Sequence, residues 1–317
     1  MPTIITRGTI SVRAFGFGAS AAGGTDGTKG IFALGYNCSL GPLTTRNKYT
    51  YASCTSTACG VGAASAASYL GSATGNSTRG IFALGNVCGV GASTIRNKYT
   101  YASCTSTACG VGASSANSSG GAAAGNSTRG IFAIGNGTTT RNKYTYACCS
   151  STASGVASSS CGTCSGAAAG NSTRGIFALG SSNTIRNKYT YAYCTSTSSG
   201  VGASSAGSHY GSAAGNSTRG IFALGVVCCV GASTIRNKYT YACCSSTATG
   251  VAASSCTSNG GSAAGNSTRG IFAIGNAKTT RNKYTYACCS STASGVGAAS
   301  RASRCGSAAS WQNCVNA

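Results

Sequence analysis

Two phrases recur six times in this chain of 317 residues, and no other feature constrains its fold as tightly. A run of the form GIFALG or GIFAIG begins at Gly30, Gly80, Gly130, Gly175, Gly220 and Gly270. A run of the form RNKYTY begins at Arg46, Arg96, Arg141, Arg186, Arg236 and Arg281. Copies spaced by 45 to 50 residues predict a repeat protein in which each unit is one small supersecondary structure.

All the variation in length lies in one segment of the unit. Each of these arginines is followed after 34 residues by the next of these glycines, whereas the step from glycine to arginine is 16 or 11 residues. A segment that accepts insertions inside a fixed unit is a surface loop, so we interpret it as a partner-binding loop. The candidate contact residues are Tyr36, Asn37, Cys38, Leu40, Val87, Cys88, Val90, Val227, Cys228 and Cys229. Alternatively, the longer loops fill space between subunits of an assembly.

The periodicity within a unit predicts strands. In TIRNKYTYA the residues Arg96, Lys98 and Thr100 point one way and the intervening residues the other, and GIFALG is too short for a helix. The segments SYLGSAT (68–74) and GVGASSA (110–116), rich in small residues, are predicted to be the first and fourth strands. The turns between the strands are then GNST and CTSTA.

Four strands per unit predict an all-β fold, a six-bladed β-propeller of four-stranded antiparallel blades. The propeller is one domain over residues 1–317, with repeats over about 9–300 and a C-terminal tail at 301–317. Antiparallel order places the two turns on one face, and the variable loop and the link between blades on the other. Segments matching the fourth and first strands occur at both ends of the chain, so one terminal copy is surplus.

The order SxxGSAA, GIFALG, RNKYTYA resembles the kelch repeat, and the composition is similar to that of kelch-like propellers in bacteriophage virion and tail proteins. The resemblance covers about residues 9–300, with one Gly where kelch has two and no Trp after the third strand. It implies a kelch-like propeller that serves as a virion or tail protein and contacts other, acidic, subunits of an oligomeric assembly.

The charge balance is extreme, because 23 Lys and Arg residues face a single acidic residue, Asp26. Such a chain attracts polyanions. The basic residues after the NST turns are candidate anion contacts: Arg79, Arg129, Arg174, Arg219 and Arg269. They alternatively stack on Tyr or donate to strand carbonyls, and the anion is a surface glycan or an acidic neighbouring subunit. Nucleic acid is disfavoured because the aromatic residues are expected to pack between blades.

The chain has 20 cysteines, and their register predicts local disulfides. The candidates are Cys54, Cys59, Cys104, Cys109, Cys148, Cys161, Cys243, Cys256, Cys305 and Cys314. Because the N-terminus lacks the apolar run of a signal peptide, disulfides imply oxidation after release from the cell. The alternatives are free buried thiols, or zinc at the single C-x-x-C pair, Cys161 and Cys164.

The residue inventory argues against catalysis. Asp26 and His209 are the only carboxylate and imidazole side chains, so acid–base chemistry and a Ser-His-Asp triad lack their parts, and no cofactor is expected. No run approaches the roughly 18 apolar residues of a membrane helix. The NST triplets fit a glycosylation sequon, but we interpret them as turns.

These observations predict a non-enzymatic structural or adhesive component of an extracellular assembly, located in a phage virion or tail. The alternative is a carbohydrate-binding propeller on a bacterial surface. Trp311, the only tryptophan, is the candidate interface anchor, with packing against its own blade as the alternative.

Overall fold

The computed structural model describes residues 28–37 and 39–310. Throughout these residues every regular element is a β-strand, and they contain no helix long and apolar enough to cross a membrane. Six four-stranded antiparallel sheets, with two small three-stranded sheets and one two-stranded hairpin, make up the described chain. The predicted all-β propeller of six four-stranded blades is confirmed.

The blades are numbered along the chain, and their strands run from the axis outward. Blade 1 comprises Ser307–Ser310, Lys29–Ala33, Arg46–Thr50 and Thr55–Thr57. Blade 2 comprises Ser72–Gly75, Arg79–Ala83, Arg96–Thr100 and Thr105–Thr107. Blade 3 comprises Ala122–Gly125, Arg129–Ala133, Arg141–Thr145 and Ser150–Thr152. Blade 4 comprises Ala167–Gly170, Arg174–Ala178, Arg186–Thr190 and Thr195–Thr197. Blade 5 comprises Ser212–Gly215, Arg219–Ala223, Arg236–Thr240 and Ser245–Thr247. Blade 6 comprises Ser262–Gly265, Arg269–Ala273, Arg281–Thr285 and Ser290–Thr292.

The five extra residues of units 1, 2 and 5 form short hairpins. Blade 1 has the strands Tyr36–Asn37 and Gly41–Pro42. Blade 2 has Ser68–Tyr69, Asn86–Val87 and Gly91–Ala92. Blade 5 has Ser208–His209, Val226–Val227 and Gly231–Ala232. In blades 2 and 5 the hairpin therefore pairs with the link that leads to the innermost strand.

The last strand of the chain closes the ring. Ser307–Ser310 pairs with Lys29–Ala33 as the innermost strand of blade 1, with Ala309 opposite Ile31. Each innermost strand contacts the innermost strand of both neighbouring blades, and this order returns to its starting point. The C-terminal copy of the first strand is thus in use, whereas the N-terminal copy lies outside the described residues.

The prediction of the fourth strand is wrong. The outermost strand of blade 2 is Thr105–Thr107, within the predicted CTSTA turn, and it pairs with Lys98–Thr100. The segment 110–116 instead runs between two blades, where the Gly112 N–H donates to the Cys149 carbonyl of blade 3 at 2.7 Å. Its backbone groups bond to neighbouring blades and not to a single ladder. The predicted first strand also begins later than expected, at Ser72.

The two faces of the disc are arranged as predicted, except that the second turn comes earlier in the chain, at residues 101–104 in blade 2. The Tyr101 N–H donates to the Thr78 carbonyl at 3.1 Å, which brings the NST turn and the turn before the outermost strand together on one side, the turn face. On the opposite side, the loop face, the variable segment meets the link through the bridge of Ser93 with Ser118. The loop face therefore carries all the variation in loop length.

Small side chains near the axis let the blades pack closely. Phe82, Tyr99 and Tyr101 of blade 2 cover Ile31 and Ala309 of blade 1, and equivalent clusters recur around the ring. The innermost strands leave an axial cavity of about 50 Å³, lined almost entirely by Ala and Gly. The axis has room for little more than one or two water molecules.

Candidate functional site at the axial mouth

Many of the basic side chains make contacts between blades. The six arginines that begin the third strands are only 1–2 % exposed. In blade 4 the Arg186 guanidinium lies 4.5 Å from the ring centre of Phe222 in blade 5, and it donates to Asn237 Oδ1 at 3.1 Å. It also donates to two carbonyls of the link, Gly202 at 3.3 Å and Ala203 at 3.2 Å. Desolvation lowers the pKa of Arg186 to about 10, which leaves it charged at neutral pH.

The same contacts occur at every junction, including the one that closes the ring, where the Arg281 guanidinium lies 4.4 Å from the ring centre of Phe32. The described residues contain no acidic side chain, and the one acidic residue of the chain, Asp26, lies outside them. The sequence indicated stacking of arginine on aromatic rings, but the principal partner is Phe of the GIFA strand.

The anion-contact candidates also bridge blades. Arg79 donates through Nη1 to the Tyr146 carbonyl of blade 3 at 2.8 Å, and Cys149 Sγ lies 3.4 Å from the same nitrogen. Equivalent bonds to the next blade are made by Arg129, Arg174, Arg219 and Arg269. These arginines donate to backbone carbonyls, which is one of the alternatives that the sequence left open. An anion contact through their other N–H groups stays a prediction.

Twelve tyrosines are buried between the blades, and for eight of them burial raises the pKa of the phenol above its ordinary value of about 10. A phenol whose pKa is raised by folding contributes stability below pH 10, and this contribution is lost as the pH rises. We expect the folded chain at pH 10.5 to keep at least these eight of its 16 phenols protonated. The lowered pKa of the six buried arginines has the opposite effect, because it makes folding more favourable as the pH rises above about 10. Deprotonation of arginine does not change the absorbance that reports on tyrosine.

Absorbance at 295 nm measures this directly. In urea all 16 tyrosines are expected to titrate together near pH 10, whereas the folded chain releases the buried phenols in one cooperative step at higher pH, together with unfolding. A folded protein whose tyrosines all ionise near pH 10 is inconsistent with the packing between blades.

The predicted disulfides are not formed among the described residues, where 18 cysteines are free thiols. Cys104 and Cys109 flank the three-residue outermost strand, so their Cα atoms are separated by about 10 Å or more, beyond the roughly 7 Å that a disulfide can span. The recurring cysteine instead turns inward, with Cys104 Sγ 3.7 Å from the Tyr101 carbonyl.

The longer predicted pairs are separated by the disc itself. Cys148 lies in a turn on the turn face, whereas Cys161 lies in the link, with its Sγ 3.9 Å from Nδ2 of the loop-face residue Asn183. No cluster of three or more metal-binding side chains exists in the described chain. Cys305 is a free thiol, and Cys38, Cys314 and Trp311 lie outside the described residues.

The predicted contact loops are only partly exposed. Leu40 and Val90 occupy hairpin tips and are 58 % and 72 % exposed, whereas Val87 and Val227 are buried. Val230, which the sequence analysis omitted, is 76 % exposed at the equivalent tip of blade 5. Residues of each hairpin alternate sides, so Val90 and Val230 reach solvent whereas Val87 and Val227 do not. The remaining candidates are half-buried or exposed: Tyr36, Asn37, Cys88, Cys228 and Cys229.

A closed ring of backbone hydrogen bonds surrounds the axis on the loop face. One residue per blade, two positions before the innermost strand, has positive φ, and together these six residues form what we call the rim: Leu70, Gly120, Ser165, Tyr210, Gly260 and Cys305. The bonds run from Leu70 N to Cys305 O at 2.8 Å, from Gly120 N to Leu70 O at 2.9 Å, and onward around the axis. At blade 4 the donor is Gly166, at 3.3 Å from the Gly120 carbonyl. The rim fixes the backbone at the mouth of the propeller.

Above the rim lies a cavity of about 380 Å³, which we call the vestibule. Its lining is contributed by blades 5, 6, 1 and 2 and comprises Tyr36, Tyr69, Leu70, Tyr210, Asn259, Arg304 and Cys305. The rings of Tyr36 and Tyr69 meet edge to face at 5.6 Å, and the ring of Tyr210 lies 4.8 Å from that of His209. The vestibule is within the volume range of small-molecule sites and combines aromatic walls with a few polar groups.

The vestibule breaks the sixfold repetition. The dipeptides that end at the rim differ in every blade: Tyr69-Leu70, Ser119-Gly120, Cys164-Ser165, His209-Tyr210, Asn259-Gly260 and Arg304-Cys305. Of the lining residues, the sequence pointed only to Tyr36 as a contact residue and to Cys305 as a disulfide candidate, because attention fell on the insertions and the cysteines. A signal was available in the sequence. The two residues immediately before the recurring Gly of GSAA differ in every repeat, although this part of the repeat has no insertions.

The side chain of the Asn in the NST turn makes hydrogen bonds within the protein. Asn76 Oδ1 accepts from the N–H groups of Thr78 and Arg79 at 3.0 Å, and its Nδ2 donates to the Ser127 carbonyl of blade 3 at 3.0 Å. The triplet is a turn, as the sequence indicated.

The chain matches no protein-family model and no curated protein sequence.

Proposed function

We propose that this chain is a non-enzymatic adhesive propeller that binds carbohydrate in the vestibule. The observation that carries the proposal is a cavity of about 380 Å³ walled by Tyr36, Tyr69 and Tyr210, with Asn259 and Arg304 beside them. A sugar ring presents an apolar C–H face that packs on tyrosine rings, and its hydroxyls bond to amide and guanidinium groups.

The titratable groups at the vestibule suit binding and not acid–base catalysis. Burial raises the pKa of the Cys305 thiol to about 11, so it is neutral at physiological pH and a poor nucleophile. His209 has its Nδ1 3.3 Å from Ser182 Oγ and packs beside Tyr210. In nucleophilic catalysis of the triad type a third group orients the base, and no carboxylate lies among the described residues to orient this imidazole.

The test is a glycan array probed with the full chain and two variants. Tyr69→Ala and Tyr210→Ala each remove a wall of the vestibule, and Tyr193→Ala is the matched control because Tyr193 is 79 % exposed on the turn face. We expect the wall variants to lose glycan signal by tenfold or more and the control to keep it. A signal that Tyr69→Ala and Tyr210→Ala leave unchanged places any sugar site elsewhere.

A second candidate is a structural subunit of an extracellular assembly such as a phage virion or tail, the setting that the kelch-like resemblance implies. The observation that favours it is the set of exposed apolar tips on the loop face, Leu40, Val90 and Val230. Exposed apolar residues on hairpins suit contacts with other subunits. Incorporation into particles should fall when all three tips are changed to Ser, and unaltered incorporation counts against this role.

A further inference from the structure

We propose that the vestibule selects sugars that carry an anionic group, and that Arg304 is the residue that recognises it. This inference rests on the carbohydrate-binding function proposed above and specifies the class of ligand. Its first basis is the distribution of charge. Among the described residues, only three basic side chains occupy positions at which the repeat has no recurring Lys or Arg: Lys278, Arg301 and Arg304.

These three residues lie in one sector of the loop face. Lys278 and Ser303 form a bridge in which the Ser303 N–H donates to the Lys278 carbonyl at 3.4 Å, and Arg301 and Arg304 flank that serine in the chain. All three basic side chains are exposed. The repeat places no Lys or Arg at these positions in the other blades, so the charge is a local addition beside the vestibule.

The position of Arg304 is fixed by its backbone. Its N–H donates to the Tyr36 carbonyl at 2.9 Å, and the Tyr36 N–H donates to the Arg304 carbonyl at 2.8 Å. The guanidinium carbon lies 5.2 Å from the centre of the Tyr36 ring. A guanidinium held over an aromatic ring keeps its planar face on the ring and directs its N–H edge outward, toward a ligand.

The donors of Arg304 are available, in contrast to those of the repeat arginines. Arg186 donates to four acceptors of the protein, whereas the Arg304 guanidinium donates to none within residues 28–37 and 39–310. The only acidic residue of the chain, Asp26, precedes these residues. An arginine fork with free donors beside a sugar-sized aromatic cavity matches a carboxylate or sulfate attached to a pyranose.

The experiment measures binding to the full chain by calorimetry at low salt, with methyl galactoside, methyl galacturonide and galactose 6-sulfate as probes. We expect an acidic sugar to bind at least tenfold more tightly than the neutral one. Arg304→Gln should abolish this preference by weakening the binding of the acidic sugars about tenfold in Kd, and any weakening of neutral-sugar binding should be much smaller, because the amide of glutamine can still bond to hydroxyls. Because Arg304 is exposed, the variant should fold, and an unchanged melting temperature verifies this. Arg79→Gln, on the turn face, is the charge-matched control and should keep the preference.

The outcomes separate the two proposals. Equal affinity for neutral and acidic sugars, or a preference that survives Arg304→Gln, overturns the role of Arg304 and leaves carbohydrate binding standing. Failure of all three probes and of the array to bind overturns both. The two acidic probes show whether the preferred anion is a carboxylate or a sulfate, and preference for either one supports the inference.

Discussion

Replacement of one buried arginine, Arg186→Met, is expected to lower the free energy of unfolding by about 3 kcal/mol. Methionine keeps the aliphatic volume, but it leaves the carbonyls of Gly202 and Ala203 without their donor in a buried junction between blades. It also removes the cation from the face of Phe222. The loss of hydrogen bonds is expected to exceed the gain from no longer desolvating a charge, because the guanidinium has four acceptors.

Urea unfolding followed by circular dichroism measures this difference. Arg301→Met is the control, because Arg301 is exposed and its replacement should change stability by no more than about 0.5 kcal/mol. Arg186→Lys keeps the charge but cannot reach both blades with a planar fork, so it should be destabilised nearly as much as Arg186→Met. If the Met variant is as stable as the unaltered chain, the buried cations contribute nothing net and only the aromatic packing joins the blades.

Deletion of residues 307–317 is expected to cost on the order of 5 kcal/mol, a large part of the stability of a typical domain. The deletion removes the innermost strand of blade 1, which leaves one edge of Lys29–Ala33 without its partner. It also uncovers Phe82, Tyr99 and Tyr101, on which Ala309 packs. Deletion of residues 311–317 alone keeps all four residues of the strand and serves as the matched control.

Hydrogen exchange at the amides of Lys29–Ala33 gives the sharpest measurement, because these amides lose protection only if blade 1 opens. Residues 19–23 have the sequence ASAAG, similar to the innermost strands, so a further variant lacking 1–27 as well as 307–317 removes a potential replacement. Full protection in the longer C-terminal deletion but not in the double deletion means that the N-terminal copy can take over. Full protection in both variants contradicts closure of the ring by a terminal strand.

The repeat made the architecture predictable. Six copies of an alternating RNKYT segment beside a short apolar GIFA segment left few options other than radial blades, and both segments are strands as expected. The outermost strand was missed because Thr105–Thr107 and the segment 110–116 have similar small polar composition. Only tertiary contacts decide between them, since the second segment bonds to two blades and the first to one.

The site was less predictable than the fold. The recurrence of cysteines at the same repeat positions suggested disulfides. Their spacing in the sequence does not show that Cys104 and Cys109 lie at opposite ends of a strand. The arginines were recognised as a repeated set, yet their burial depended on Phe222 and its equivalents arriving from the next blade. The vestibule unites residues from four blades, including Tyr69 and Arg304, which are 235 positions apart in the chain. Such a site is visible only once the ring is closed.

The hydrogen-bonded rim separates architecture from recognition. Its bonds use backbone atoms alone, so the first residue of each rim dipeptide can be exchanged without removing a bond of the circle. The second residue is more restricted, because it has positive φ, and a Cβ at Gly120 or Gly260 would lie only 2.8 or 2.7 Å from the backbone nitrogen of the next rim residue. The chain has in effect a fixed frame with six independently replaceable inserts around a common centre. Evolution, or a designer, could therefore retarget this propeller by rewriting six codons, one per blade, and leaving the other residues untouched.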